Sequence, residues 1–280
     1  MALTFLAAFF LGLIVSSPLA AMMGRAGHTR ENYKGKGVPT SVGIAFLLVA
    51  TPVAFAGGVM GLAPPEAVVW GAFIATSVGL IGLLDDLAGA KAAKGLRGHF
   101  RALLFQGILS TGALKAIFGG LIALIAAWPV SEGIVELAVN TMIIALSTNF
   151  INLLDLRPGR AAKGYLFGLI LLVLTRRAGL TSGEAASSSM LNAYFLAPLT
   201  GAFLGYLPLD LSERAMMGDT GSNVLGAMMG YGYSVLASPI VKWVFLSFLI
   251  LIHLYTERHS LSEAIDRSPV LRFLDRLGRI

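Results

Sequence analysis

The chain has 280 residues, of which 56% are hydrophobic and only 13% are charged, and it contains no cysteine. Globular domains usually carry about 25% charged residues, so this composition and a mean hydropathy of +0.79 exclude an ordinary soluble enzyme and a disordered chain. The net charge of +6 fits basic loops facing an anionic membrane, because a nucleic-acid-binding domain would be far less apolar. We predict a membrane protein with no nucleic-acid partner.

Nine apolar runs are candidates for membrane-spanning helices, which need roughly 20 residues each. The runs do not alternate apolar and polar residues with period two, which argues against a β-barrel. We therefore predict a single all-α domain over residues 1–280, a polytopic integral membrane helical bundle of about nine transmembrane helices, with a basic cytoplasmic tail at 257–280. The runs are 2–23, 38–60, 66–87, 102–128, 134–154, 163–176, 190–208, 222–237 and 239–256.

The first run allows two interpretations. Residues 16–20 (S-S-P-L-A) are similar to a signal-peptide cleavage region, but no Lys or Arg precedes the run, whereas Arg25 and Arg30 follow it. A retained helix with the amino terminus outside is the better interpretation. Most Lys and Arg residues then fall on one side of the membrane, which the positive-inside rule assigns to the cytoplasm.

The third run ends in two adjacent carboxylates, Asp85 and Asp86. An acidic residue at the end of a transmembrane helix costs free energy unless it is paired, hydrated or bound to a cation. Neighbouring side chains point about 100° apart on a helix, so the two residues are expected to have different roles. Their mutual repulsion favours a nearby cation, and a hydrated helix end with two solvated acids is the alternative.

A polar stripe is predicted at the end of the fifth run. Asn149, Asn152 and Asp155 recur every three residues, so they are expected along one side of a helix. Such a stripe suits a nucleotide, a sugar or the water shell of a metal, and an interhelical hydrogen-bond network is the alternative. The adjacent Arg157 and Arg160 favour an anionic ligand.

The eighth run is preceded by a glycine-rich turn, G-D-T-G-S at residues 218–222. The amides at the start of a helix suit a phosphate, and the carboxylate of Asp219 suits Mg²⁺. The alternative is an ordinary helix cap, in which Asp219 or Thr220 accepts from free amides.

Further residues on the same side are candidates either for binding anions or for anchoring the chain at the membrane surface. His259 is a ligand-binding group or a solvated residue, and Lys115, inside the fourth run, is expected to snorkel or to form a pair. The candidates are Lys36 and Thr40 before the second run, Lys94 and Arg101 after the aspartate pair, and His259 in the terminal loop.

Taken in chain order, these stretches resemble the motifs of the polyprenyl-phosphate N-acetylhexosamine-1-phosphate transferase superfamily, which includes phospho-MurNAc-pentapeptide translocase and the GlcNAc-1-phosphate transferases. Each motif alone is a weak signal, but their joint occurrence is specific. The matching stretches are K-G-V-P-T-S-V-G at 36–43 (family K-x-G-x-P-T-x-G-G), the pair Asp85-Asp86, the basic stretch 94–101, N-x-x-N-x-x-D at 149–155, and G-D-x-G-S at 218–222.

The resemblance implies transfer of HexNAc-1-phosphate from a UDP-sugar to polyprenyl phosphate, with release of UMP, at the cytoplasmic face of the plasma membrane, in the synthesis of cell-wall or surface-polysaccharide precursors. It implies Mg²⁺, with Mn²⁺ as the alternative, to screen the phosphates. Asp219 is the first choice of metal ligand, with Asp85 or Asp86 completing the shell and the other of the pair positioning or deprotonating the lipid phosphate. Substrate binding falls to Lys36, Thr40, Lys94, Arg101, Asn149, Asn152, Asp155 and His259, and a homodimer is compatible with the family.

Departures from the family pattern concern the sugar more than the chemistry. After Asp155 the translocases usually continue with a Gly and a second Asp-Gly, whereas this chain has L-R-P-G at 156–159. On this ground we expect GlcNAc-1-phosphate transfer, with phospho-MurNAc-pentapeptide transfer to make lipid I as the alternative. His259 stands alone where the family has a histidine cluster, the position of Arg101 is commonly Lys, and residues 261–280 are too charged to span a membrane.

A cation-coupled secondary transporter is the alternative from another class. It would place carboxylates near the bilayer midplane and would show related halves. The acidic residues of this chain fall instead at the cytoplasmic ends of the predicted helices, which favours the transferase.

Overall fold

The computed structural model describes residues 1–88, 111–179 and 193–279. Within these ranges nine long helices follow one another, and each coincides with one of the apolar runs. They are α1 (Ala2–Arg25), α2 (Ile44–Val59), α3 (Pro65–Ala88), α4 (Thr111–Ala127), α5 (Ile134–Leu154), α6 (Arg160–Arg177), α7 (Leu196–Leu211), α8 (Gly218–Leu236) and α9 (Pro239–Thr256). Two short helices follow, α10 (Leu261–Arg267) and α11 (Pro269–Arg276).

Length and composition suit five of these helices for crossing a membrane: α1, α3, α5, α9, and α4 together with the 3₁₀ turn Trp128–Val130 that extends it. The helices α2 and α7 are shorter but also apolar. The more polar α8 is buried continuously from Thr220 to Val235, so the other helices shield it from lipid. The prediction of an all-α, polytopic membrane protein is confirmed.

A β-hairpin precedes α2, which corrects the predicted start of the second run. Residues 38 and 39 do not belong to the helix, because β2 (Gly37–Pro39) pairs antiparallel with β1 (Thr29–Glu31). The chain then forms backbone hydrogen bonds with the segment before α8: Met216 N donates to Pro39 O (2.8 Å) and Gly43 N donates to Met217 O (3.0 Å). The hairpin is thereby fixed to the beginning of α8.

The central helix, α8, packs most extensively on α5 and α3. Its glycines allow this close approach: a Cβ at Gly226 would lie 2.4 Å from the carbonyl oxygen of Ser147, and one at Gly230 would lie 2.8 Å from Ile144 Cα. On the α3 side, a Cβ at Gly82 would lie 2.4 Å from the carbonyl oxygen of Asp219. The C-terminal ends of α3 and α5 thus meet the N-terminal end of α8 at one end of the bundle. We call this the aspartate end.

The last residues fold back onto the bundle instead of extending away from it. The α11 residue Asp275 is buried and accepts hydrogen bonds from Nε (2.8 Å) and Nη2 (3.1 Å) of Arg160, in the first turn of α6. Arg157 pairs with Asp266 of α10 at 2.9 Å. These ion pairs hold α10 and α11 at the aspartate end.

Candidate active site

The carboxylate of Asp86 caps the first turn of α8. Asp219 N donates to Asp86 Oδ1 (3.0 Å), and Thr220 donates to Oδ2 from both its backbone N (3.1 Å) and its Oγ1 (2.8 Å). The side chain of Asp86 is only 4% exposed. The first amides of a helix have no partners within the helix, so this carboxylate stabilises α8 by accepting from them. We had predicted that a phosphate, or a side chain of the same turn, would occupy this position.

The turn into α8 requires glycine at residue 218. Gly218 has a φ of +69°, a conformation that side-chain-bearing residues rarely adopt. In addition, a Cβ at this position would lie 2.4 Å from Asp86 Oδ2. The close fit of Asp86 over the start of α8 therefore depends on this glycine.

The hairpin region supports Asp86 from the other side. Ser41 Oγ donates to Asp86 Oδ2 (2.9 Å) and is itself 2.9 Å from His28 Nε2. Ser41 has a φ of +59°, a strained value for a serine. Arg30 Nη2 donates to the carbonyl oxygen of Asp86 (2.7 Å), near the negative end of the α3 dipole. Hydrogen bonds from the hairpin region thus fix both the backbone and the side chain of Asp86.

The neighbouring carboxylate of Asp85 faces in a different direction. Both it and the carboxylate of Asp219, the first acidic residue of α8, form ion pairs with Lys115. Lys115 of α4 donates a hydrogen bond to Asp219 Oδ2, and its Nζ lies 4.0 Å from Asp85 Oδ2. The side chains of Asp85, Asp219 and Lys115 are each about a quarter exposed. Asp85 and Asp86 thus make different contacts, and a difference in their roles stays a prediction.

The polar stripe of α5 divides between two places. Asn152 Nδ2 donates to Asp219 Oδ1 (2.8 Å) and to Ser222 Oγ (3.1 Å), so it joins the carboxylate cluster. Asn149, one turn earlier, lines an adjoining cavity. Asp155 follows the last residue of α5, Leu154, as its C-cap.

The cavity beside the cluster has a volume of about 410 Å³. Lys115, Asn149 and Asn223 give it a polar part, and apolar residues of α3, α4 and α5, such as Ile81 and Ala123, line the rest. Asn223 is 1% exposed, and its Oδ1 has no hydrogen-bond partner among the described residues. The cavity can therefore hold a molecule with a polar head and an apolar chain.

Asp155 lies in a second, small cavity of about 40 Å³, together with Tyr33, Arg157 and Asp210. Desolvation by the surrounding protein raises the pKa of Asp155 well above its ordinary value, and the nearby negative charges, that of Asp210 foremost, add to this effect.

The remaining candidates lie apart from the cluster or outside the described residues. Lys36 is exposed in the hairpin, and its backbone N donates to Asn32 Oδ1 at 3.1 Å. Thr40 is buried, and its backbone N donates to the carbonyl oxygen of His28 at 3.2 Å. His259 is exposed and its ring stacks on Tyr255, 4.8 Å between centroids. Two candidates, Lys94 and Arg101, lie outside the described residues.

The donor atoms of the cluster fit a hard divalent cation only in part. Asp85 and Asp219 offer carboxylate oxygens on neighbouring side chains, the ligand type that Mg²⁺ prefers. Asp86 is less suited, because hydrogen bonds from Ser41, Asp219 and Thr220 already occupy both of its oxygens. Over residues 1–88, 111–179 and 193–279 there is no group of three or more acidic or histidine residues that could hold a metal. Water and substrate oxygens would have to complete the shell.

Two residues of this site were not among the predicted site residues. Lys115 was expected to snorkel or pair, and its signal was a lone lysine inside an apolar run. Ser41 gave no local signal, because its contact with Asp86 joins residues 45 positions apart.

Comparison with known families gives one match that covers most of the bundle. Residues 67–237 match the family model "Glycosyl transferase family 4". This range contains Asp85, Asp86, Lys115, Asn152 and Asp219. The match agrees with the resemblance that the motifs indicate.

Individual relatives carry a single name, phospho-N-acetylmuramoyl-pentapeptide-transferase. The protein of Moorella thermoacetica is 30% identical over 243 residues, covering 78% of this chain and 70% of the relative. That of Acetivibrio thermocellus is 28% identical over 260 residues, covering 85% and 73%. That of Clostridium kluyveri is 27% identical over 220 residues, covering 76% of this chain and 66%, just under two thirds, of the relative.

Proposed function

The chain belongs to glycosyl transferase family 4, within the polyprenyl-phosphate N-acetylhexosamine-1-phosphate transferase superfamily, and we propose that it transfers a sugar phosphate from a UDP-sugar to polyprenyl phosphate, releasing UMP. The observation that carries the proposal is the meeting of Asp85, Asp219 and Lys115 beside a cavity that is polar in one part and apolar in the rest. Such a site suits a charged donor and a lipid acceptor.

The proposed donor is UDP-MurNAc-pentapeptide, which makes the product lipid I. The names of the relatives support this donor over UDP-GlcNAc, which we expected from the departure at residues 156–159. The structure offers another reason for that departure. Arg157 pairs with Asp266 in the tail, and the carbonyl oxygen of Pro158 accepts from Arg279 Nε at 2.9 Å. Since the segment contacts the tail, its altered sequence is no longer an argument for a different sugar.

The proposed reaction joins two anions, and the positive charge of Lys115 favours their approach. An oxygen of polyprenyl phosphate forms a bond to the β-phosphorus of the UDP-sugar, and the bond from that phosphorus to the bridging oxygen breaks, so that UMP leaves. In this scheme the Lys115 ammonium binds a phosphate oxygen, and Asn149 and Asn152 position the diphosphate. The carboxylate of Asp86 holds the start of α8, and with it Asp219, in place.

Mg²⁺, with Mn²⁺ as the alternative, is the proposed cofactor, and Asp219 and Asp85 are its proposed protein ligands. When bound, such an ion screens the phosphate charges and stabilises the charge that develops on the departing UMP.

We assign the aspartate end to the cytoplasm. This end carries Arg30, Arg157 and Arg160, whereas Arg176 and Arg177 lie at the far end of α6. The excess of Lys and Arg on one side supports a cytoplasmic location through the positive-inside rule. A transporter function is not supported, because Asp85, Asp86 and Asp219 lie at helix ends and the family name describes transferases.

The test is a donor panel with purified protein in Mg²⁺. UDP-MurNAc-pentapeptide and UDP-GlcNAc are each supplied with and without undecaprenyl phosphate, and UMP release is measured. We expect UMP only when UDP-MurNAc-pentapeptide and the lipid are both present. If UMP were released with UDP-GlcNAc but not with UDP-MurNAc-pentapeptide, the GlcNAc interpretation would be restored. If neither donor gave lipid-dependent UMP release, the proposal would be contradicted.

A matched pair of variants links the activity to the site. Asp85→Asn removes a charge at the aspartate end, whereas Glu132→Gln removes one from an exposed residue outside the cluster. We expect the first variant to lose UMP release and the second to retain it. Equal activity of the two variants would show that the cluster is not the active site.

A further inference from the structure

The tail helices begin where a spanning helix ends. The apolar α9 ends at Thr256, and α10 begins at Leu261, with only four residues between them. A chain of this length cannot move far from the membrane surface. The two tail helices therefore start at the boundary between lipid and water.

One face of α11 is fixed against the bundle. The Asp275 carboxylate accepts a hydrogen bond from Arg160 and lies 2.7 Å from Arg279 Nη2. Lys163 Nζ donates to the backbone carbonyl oxygen of Asp275 at 2.7 Å. Because Arg160 and Lys163 belong to the first turn of α6, α11 lies at the height of the membrane boundary. The docked Asp275 also sets which side of α11 points away from the protein.

The opposite side of α11 carries an exposed apolar stripe. Val270, Phe273 and Leu274 are 67%, 66% and 47% exposed, and Leu277, just after the helix, is 55% exposed. Their spacing of three, four and seven residues places them along one side of a helix. Val270 lies about 140° around the axis from Asp275, so the stripe and the docked face point in different directions. A stripe of this kind in water would be costly.

We propose that α11 is an interfacial membrane helix whose apolar stripe inserts between the headgroups and acyl chains of the leaflet at the aspartate end, with a preference for anionic lipids. The charges support this partner. Arg267, Arg272 and Arg276 are exposed on and beside α11, where they meet lipid phosphates, and the chain as a whole has a net charge of +6. A second copy of the chain is the competing occupant, but the arginines would then face the arginines of that copy. The inference is independent of the proposed transfer reaction.

The test uses single cysteines, because the chain has none of its own. Phe273→Cys, in the stripe, and Arg272→Cys, outside it, are spin-labelled in the full chain and placed one molecule per nanodisc. The discs contain phosphatidylcholine, with or without phosphatidylglycerol. The ratio of collision with oxygen to collision with a water-soluble nickel chelate reports depth in the bilayer.

We expect this ratio to be about threefold larger for the label at 273 than for the label at 272, and larger again with phosphatidylglycerol. Equal ratios at the two positions would overturn the proposal. A label at 273 that is accessible to the chelate in single-copy discs, yet protected in detergent as protein concentration rises, would assign the stripe to a second copy and would also overturn it. Both substitutions are at exposed positions, so the fold is expected to tolerate them.

Discussion

Thr220 and Asp86 are joined by two hydrogen bonds, from the backbone N and from the Oγ1 of Thr220, which both end on Asp86 Oδ2. These bonds connect the end of α3 to the beginning of α8 across 134 positions of sequence. They make one aspartate of the adjacent pair a structural support, while the other, Asp85, shares Lys115 as an ion-pair partner with Asp219.

The substitutions Asp86→Asn and Asp85→Asn are expected to differ in their effects on stability and on turnover. Asp86→Asn directs an amide NH₂ toward donors, so we expect a loss of about 3 kcal/mol in the free energy of unfolding together with a loss of activity. Asp85→Asn is expected to change stability by less than about 1 kcal/mol but to reduce turnover by about 100-fold. Thermal unfolding in detergent and UMP release measure the two effects. Equal stability of the two variants would be evidence against the capping role of Asp86.

Alanine at position 218 is expected to damage the site without touching a charge. Gly218→Ala places a Cβ against Asp86 Oδ2 and forces alanine to a positive φ, which costs about 1–2 kcal/mol before any displacement of Asp86. Gly133→Ala is the matched control, because a Cβ there meets nothing within 4 Å. Melting temperatures of the two variants provide the measurement. A Gly218→Ala protein as stable as the Gly133→Ala protein would contradict the observed turn.

Removal of the Lys115 charge is expected to strengthen metal binding while weakening catalysis. Lys115→Met keeps the length and apolar character of the side chain but leaves Asp85 and Asp219 without their cation. We expect the dissociation constant of Mn²⁺, followed by electron paramagnetic resonance without substrates, to fall about tenfold. The reason is that the Lys115 ammonium no longer competes with Mn²⁺ for the two carboxylates. Turnover should fall, because the ammonium no longer binds phosphate. Unchanged Mn²⁺ affinity would remove Asp85 and Asp219 as proposed ligands.

Docking of the tail is expected to depend on pH through Asp275. Burial raises the pKa of this carboxyl, but the hydrogen bonds and charge of Arg160, together with Arg279, outweigh burial and hold the pKa below its ordinary value. A lowered pKa means that the ionised form stabilises docking. This stabilisation is complete above the pKa of a free carboxyl, about 3.9, and is lost as the pH falls through the lowered value.

The mobility of a spin label at Arg267→Cys, measured from pH 7 to pH 2, follows this release. Asp275→Asn is expected to weaken docking by about 3 kcal/mol already at pH 7. Asp266→Asn, which removes a more exposed partner of Arg157, should cost less than about 1 kcal/mol. A label whose mobility is the same in all three proteins and at every pH would show that Asp275 does not hold the tail.

The helices of this protein could be predicted because their signal is local. A run of about 20 apolar residues identifies a spanning segment whatever its neighbours are, and each of the nine runs coincides with a helix among the described residues. The strand Gly37–Pro39 could not be predicted in this way, because it is held by pairing with β1 and by Met216, which lies far along the chain.

The sequence predicted which acidic residues lie near one another at the aspartate end, but not how they are arranged. Spacing brought out Asp85, Asp86 and Asp219, since acidic residues at the ends of apolar runs are conspicuous. The division of labour between them depends on contacts over more than 100 residues, such as those of Asp219 with Asp86 and Lys115, and no local pattern encodes these contacts. Asp155 was predicted to extend the stripe, and it lies directly after the last residue of α5, as its C-cap.

The register of α3 against α8 has a consequence for how the length of this chain can vary. Gly82 and Asp86 are four residues apart, so they lie on the same side of α3, and both meet the first turn of α8. Inserting or deleting one residue between them would rotate Asp86 by about 100° away from the amides that it caps. Changes in length are therefore expected to be absent between these two positions in functional descendants of this chain, even where the neighbouring loops gain or lose residues.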